Sequence, residues 1–147
     1  MSPQTTLEVR LAIDTINAEF SWSLDNASFE NLDHLFEEDA FYQSGERVLR
    51  GRGEIRTFFE KRRALGPRSS RHMWSGLRIV SLTEDMAQTT SVWLSFAANA
   101  PLPLQHVPIF MVADFFDLYK RGNDGQWRIA ERRIVGTFRN PDAAPLI

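Results

Sequence analysis

The sequence predicts an α+β domain, with helices first and a strongly bent antiparallel sheet after them. Two observations carry that expectation. Before Pro67 the apolar residues recur mostly at helical spacing; after it the period drops to two and stays there. The second half is then cut into four long runs rich in Val, Ile, Phe, Trp and Thr. Thr83-Glu84-Asp85, the proline-rich stretch Pro101 to Pro108 and Gly122-Asn123-Asp124-Gly125 make the cuts. No internal repeat, low-complexity segment or linker interrupts the 147 residues, so one domain with one core is expected over 1–147.

The elements follow in order. From Leu7 to Leu24, Val9, Ile13, Ile16, Phe20 and Leu24 recur at steps of four, three, four and four, which is one helical stripe. Ala18, Trp22 and Asp25 form a second line, placing Asp25 on the flank of the buried face, one turn beyond an indole. Ser28 can cap a short second helix from Phe29 to Phe36. A hairpin comes next, with strands near Ala40 to Gln43 and Arg47 to Arg50 around Ser44-Gly45. The third helix spans about Gly53 to Leu65, buries Ile55, Phe58 and Phe59, and stops at Gly66-Pro67. Strands are then expected over 71–82, 87–98, 107–121 and 126–138.

Bulk composition removes several classes of function. A net charge of -2 gives no overall attraction to nucleic acid or to an anionic membrane. Nine of the seventeen Lys and Arg residues do fall between Arg47 and Arg71, but Glu46, Glu54 and Glu60 interleave with them, so they read first as a solvated helix face and second as a polyanion site. Without cysteine there is no disulfide framework, thiolate zinc site or thiol nucleophile. No run approaches the ~18 apolar residues of a membrane helix, and the first residues lack the pattern of a secretory signal, so a soluble, cytoplasmic protein is expected. His34, His72 and His106 have no metal-ligand spacing, and Gly51-Arg52-Gly53 lacks the rest of a phosphate loop, so neither metal nor nucleotide cofactor is expected.

Two residues could carry chemistry. Asp25, beside an apolar stripe, would lose solvation and its pKa would rise toward the range of a general acid or base; equally, it could be an exposed residue at a helix end. His72 opens a strand beside Met73 and Trp74, where it could be a structural histidine or pair with a carboxylate that fixes its tautomer. Asp117 and Arg132 fall diagonally on one face of the last hairpin with Phe115, which reads as a structural ion pair or as a strand carboxylate available to a ligand. Asp114, on the opposite face, competes for the latter role. Trp22, Trp74, Trp93, Phe96 and Phe115 are core residues by default, some of which must face any cavity.

The order helix, helix, hairpin, helix, long meander resembles the nuclear-transport-factor-2-like superfamily and, within it, the SnoaL-like proteins. The resemblance spans roughly residues 7 to 138. It rests on Leu24-Asp25-Asn26 with Phe29-Glu30-Asn31-Leu32, Leu35 to Ala40, Gly51 to Ile55, Arg71-His72, and Trp127-Arg128-Ile129 with Arg132. It implies a cone of three N-terminal helices on a strongly curved, mostly antiparallel sheet, a pocket for a small hydrophobic molecule, and a homodimer. In the scytalone-dehydratase-like branch an aspartate ending the first helix and a histidine opening a long strand act together in proton transfer, and Asp25 and His72 stand at those places. Tyr42 stands where that branch has a tyrosine that helps hold a water against the substrate carbonyl. This chain departs from the branch at Leu24, where a tyrosine is usual, and at Thr90-Ser91-Val92, where a second histidine is usual.

Two functions follow from the resemblance. The first is a metal-independent dehydratase, isomerase or cyclase acting on a small hydrophobic carbonyl compound. Asp25, His72 and Tyr42 would be its catalytic residues, and Trp22, Trp74, Phe96, Phe115 and Asp117 would line the ligand. The second is a non-catalytic ligand-binding or assembly subunit resembling the β subunit of aromatic-ring dioxygenases, which has a similar Arg-His stretch.

Overall fold

The computed structural model describes residues 3 to 143. Helix α1 (Thr6–Asp25) starts at a capping box in which the Thr5 hydroxyl accepts from the Glu8 N–H at 3.2 Å and the Glu8 carboxylate accepts from the Thr5 N–H at 2.7 Å. Its expected stripe of Val9, Ile13, Ile16, Phe20 and Leu24 is buried. The helix ends in a Schellman-type turn: Ala27 takes φ 50° and the Ser28 N–H reaches the Ser23 carbonyl at 3.0 Å. That stop leaves Asp25 as the last helical residue, free to reach toward the sheet.

The next segment differs from the expected second helix over Phe29 to Phe36. Only a 3-10 turn, Leu32–Leu35, forms before strand β1 (Phe36–Ser44) begins, so the described residues hold two α-helices rather than three. Eight residues are too few to nucleate a helix without help. Phe36 instead pairs with Ile129 in the sheet at zero exposure, and tertiary pairing overrides the local spacing. Strand β2 (Arg47–Arg50) closes the hairpin, and Gly51, at φ 77° with the Glu38 carbonyl 3.2 Å from where a Cβ would sit, turns the chain into α2 (Gly51–Ala64). The long strands β3 (Ser69–Leu82), β4 (Met86–Ala98), β5 (Ile109–Arg121) and β6 (Trp127–Arg139) lie within two residues of the expected bounds.

The six strands form one sheet in the order β2-β1-β6-β5-β4-β3. The β1–β6 contact is parallel and the other pairings are antiparallel. Register shifts bend the sheet in six places, one of them between Phe36 and Phe41 and two along β5–β6. The bend wraps the sheet around α1 and α2, and the core fills the concave side with Phe20, Phe36, Phe59, Trp93, Phe115 and Tyr119. Among the described residues no helix is long and apolar enough to cross a membrane.

Candidate active site

The Schellman stop of α1 and the first residues of β3 bring Asp25 and His72 into direct contact. Asp25 Oδ1 lies 2.6 Å from His72 Nδ1 and accepts from the Ser70 hydroxyl at 2.9 Å, while Oδ2 accepts from the His72 backbone N–H at 2.9 Å. The two side chains are 7% and 13% exposed. Burial pushes the Asp25 carboxyl up, but the hydrogen bond and charge of His72, the His72 N–H and the Ser70 hydroxyl together outweigh it and hold the pKa below its ordinary value. This reverses the rise expected from the apolar stripe, because three donors meet the carboxylate where the sequence showed only its desolvation. An ionised Asp25 keeps the proton on Nδ1, so Nε2 is the nitrogen His72 can offer the cavity.

That cavity, about 700 Å³, lies between the concave sheet face, α1, α2 and the β1–β2 hairpin, and His72 and Tyr42 both border it. Phe20, Trp93 and Phe115 form its aromatic floor. Trp93 stacks on Phe115 at 4.5 Å between centroids and on Trp74 at 5.1 Å, so the three rings make a ladder across β3, β4 and β5. Tyr42 is 5% exposed and packs edge-on against Phe36 and Phe59, each at 6.2 Å. Burial pushes the Tyr42 hydroxyl pKa up against the nearby charges of Arg132, Arg62 and Arg47, so it stays a neutral donor.

Four of the expected ligand contacts fall elsewhere. Trp22 is 62% exposed, because two residues along a helix rotate it about 200° from Phe20. Phe96 lies three residues from the inward Trp93 and takes the outer face of β4, while Phe110 of β5 borders the cavity instead. Trp74 backs the floor through its stack on Trp93 without bordering the space. Asp117 is consumed by the core. Only Phe115 of that set lines the cavity.

The Asp117–Arg132 pair is fully buried and directly opposed rather than diagonal, because the hairpin is centred on Asp124 rather than on Asn123-Asp124 and a bulge at the Leu118/Tyr119 step shifts β6 by a further residue. Arg132 Nε donates to Oδ1 at 3.0 Å and Nη2 to Oδ2 at 2.9 Å, and Nη2 also reaches Asn17 Oδ1 at 2.7 Å. The Tyr119 hydroxyl donates to the same Asp117 oxygen at 3.0 Å. The guanidinium carbon sits 4.5 Å from the Phe20 centroid and 5.1 Å from that of Phe115. Burial works against the Arg132 charge, but Asp117 and Tyr119 raise its pKa overall, so it remains a cation. Asn17 was missed, although it stands four residues after Ile13 and three before Phe20, a core position of the same stripe.

Also missed were two inward arginines, Arg62 of α2 and Arg68 just before β3, which line the cavity. Burial lowers their pKa values to about 10 and about 9. His34 and His106 are exposed, as expected. Among the described residues no three His, Cys, Asp or Glu side chains are grouped to share a metal ion.

Comparison with known proteins agrees with this architecture. The family model described as a SnoaL-like domain matches residues 5–133. The chain belongs to the SnoaL-like family. A candidate scytalone dehydratase from Novosphingobium aromaticivorans is similar at 23% identity and TM-score 0.79, covering 96% of this chain and 90% of its own. A candidate aromatic-ring-hydroxylating dioxygenase β subunit from the same organism gives 17% identity and TM-score 0.79 over 93% and 94% of the two chains. A cystatin-like-fold protein of unknown function from Nostoc punctiforme gives 25% identity and TM-score 0.77 over 99% and 100%. No curated protein matches. These neighbours support the fold expected from the sequence, built among the described residues with two α-helices.

Proposed function

We propose that this SnoaL-like protein is a proton-transfer enzyme of the dehydratase, isomerase or cyclase type, acting on a small hydrophobic carbonyl compound. The observation that carries the reading is the 2.6 Å contact between Asp25 Oδ1 and His72 Nδ1 at the edge of an aromatic-floored cavity. Asp25, ionised and held by three donors, orients the imidazole and stabilises the imidazolium. His72 Nε2 then takes a proton from the carbon beside the carbonyl, and can return one to a leaving hydroxyl or to a new position. Tyr42 donates to the carbonyl oxygen as negative charge builds there. The positions of a second branch histidine are held by Thr90-Ser91-Val92, and Ser91 is already bonded by the Trp93 indole N–H at 2.9 Å. The chemistry therefore rests on one imidazole.

The test needs no knowledge of the natural substrate. In D₂O, the protein should catalyse exchange of the C2 protons of 1-indanone, followed by loss of their proton NMR signal. His72→Gln should lower that rate by about 10²–10⁴-fold and Tyr42→Phe by about tenfold to a hundredfold. Exchange no faster with wild type than with His72→Gln would end the reading.

A second reading, a non-catalytic ligand-binding or assembly subunit, has one observation in its favour. Met73, Val92, Phe116 and Val135 stand exposed on the outer sheet face, between 44% and 60%. The same face suits the homodimer expected from the resemblance. Light scattering after size exclusion separates the cases: a dimer with exchange activity fits the enzyme, whereas a dimer without activity fits the subunit.

A further inference from the structure

We infer that the cavity takes a ligand whose hydrophobic ring system carries an anionic group, a carboxylate or phosphate, held by Arg62 with Arg47. This deepens the proton-transfer reading, on which it rests for the ligand's carbonyl, while the anion site itself stands on separate residues.

Helix α2 treats its arginines in two ways. Arg52, Arg56 and Arg63 each have an acidic partner on the protein, in Glu38, Asp33 and Glu30. Arg62, which lines the cavity, has none within 4 Å among the described residues, and neither do Arg47 of β2 and Arg139 of β6, which also line it. Each of these three lies against an aromatic ring instead. The guanidinium carbon is 4.4 Å from the Phe58 centroid for Arg47, 5.7 Å from Phe59 for Arg62 and 5.6 Å from Phe110 for Arg139. A ring holds the plane of a guanidinium while leaving its N–H edge for a carboxylate or phosphate. Arg62 Nη2 is buried without a hydrogen-bond partner among the described residues.

The charge balance points the same way. Arg47, Arg62, Arg139 and His72 border the cavity, and among the described residues the one carboxylate beside them is that of the exposed Glu46. Burial is the main cause that lowers the pKa of Arg62, and the positive charge of Arg47, which borders the same space, acts in the same direction, so the two repel. An anion between them removes that repulsion and satisfies the buried Nη2 through charge-assisted bonds. The floor of Phe20, Trp93 and Phe115 takes the ring system, and His72 stands on the same cavity wall. The ligand is thus amphiphilic, with its acid group toward α2 and β2.

Calorimetric titration of the full chain with 1-naphthoate, 1-naphthyl phosphate and 1-naphthamide tests this, since the three share a ring system and differ in charge. At least one anion should bind at least about tenfold more tightly than the amide, and whichever anion binds better identifies the head group. In Arg62→Gln that preference should fall below about threefold while the amide keeps its affinity. Arg47→Gln, at a half-buried strand position, carries the same test if Arg62→Gln does not fold. Equal binding of the three, no binding of any, or a preference untouched in both variants would overturn the inference. Anion preference with no 1-indanone exchange would remove the proton-transfer reading alone, and exchange without anion preference would remove this inference alone.

Discussion

Among the described residues, two carboxylate pairs are buried on both sides, Asp25–His72 and Asp117–Arg132, and they are built to opposite ends. Asp117 meets a guanidinium that cannot give up its proton, inside a closed set of Asn17, Tyr119 and three aromatic rings. Asp25 meets an imidazole at the cavity edge, and the second nitrogen of that ring has no partner on the protein among the described residues. Both pairs hold two strands or a strand and a helix in register. Only the second includes a group that can exchange a proton with a ligand, so the difference separates a scaffold pair from the pair on which the proposed chemistry rests.

The comparison breaks first at Arg132. Replacing it with Met leaves Asp117 buried without its cation, and urea denaturation should show a loss of about 3–5 kcal/mol. The double change Asp117→Leu with Arg132→Met should recover most of that loss. A single-variant loss below about 1 kcal/mol would mean that the core does not depend on the pair.

Asp25→Asn gives a smaller and pH-dependent effect. The folded pKa of Asp25 lies below its ordinary value, so its stabilising contribution is complete above the unfolded value and disappears as pH falls through the folded one. The variant should be about 1–2 kcal/mol less stable near neutrality, and the gap should close as acid is added below about pH 4. A gap that widens in acid would show that Asp25 is protonated in the folded protein. The smallest effect is expected for Tyr119→Phe, which removes one donor to Asp117 while leaving both Arg132 bonds; about 1 kcal/mol should be lost, with no change in 1-indanone exchange.

Much of this was legible in the sequence where a repeating pattern was long. The α1 stripe and the four long strands were read almost to the residue, because twenty helical residues or thirteen strand residues average over local exceptions. Phe29 to Phe36 was too short for such averaging, and its apolar residues served a turn and a strand start equally well. At the site, helix-end and strand-start positions brought Asp25 and His72 together, but the direction of the Asp25 shift depended on Ser70 and the His72 backbone, which no spacing announces. Phe96 and Trp22 were misplaced because aromatic content says how many rings exist and only the facing of each helix or strand says where they point. The inward turn of Arg62 was hidden in a charge cluster in which its helix neighbours Arg52, Arg56 and Arg63 are paired with acidic side chains.

The parallel contact between β1 and β6 also has a bearing on biosynthesis. Phe36 and Tyr42 find their neighbours Ile129 and Arg132 only after some ninety intervening residues have been made, so the hairpin leaves the ribosome without its sheet partner. Until Trp127–Arg139 emerges, the concave side lacks its central strand and its aromatic rings stand open to water. The nascent chain therefore passes through a long exposed interval in which a chaperone that grips apolar segments has the most to offer.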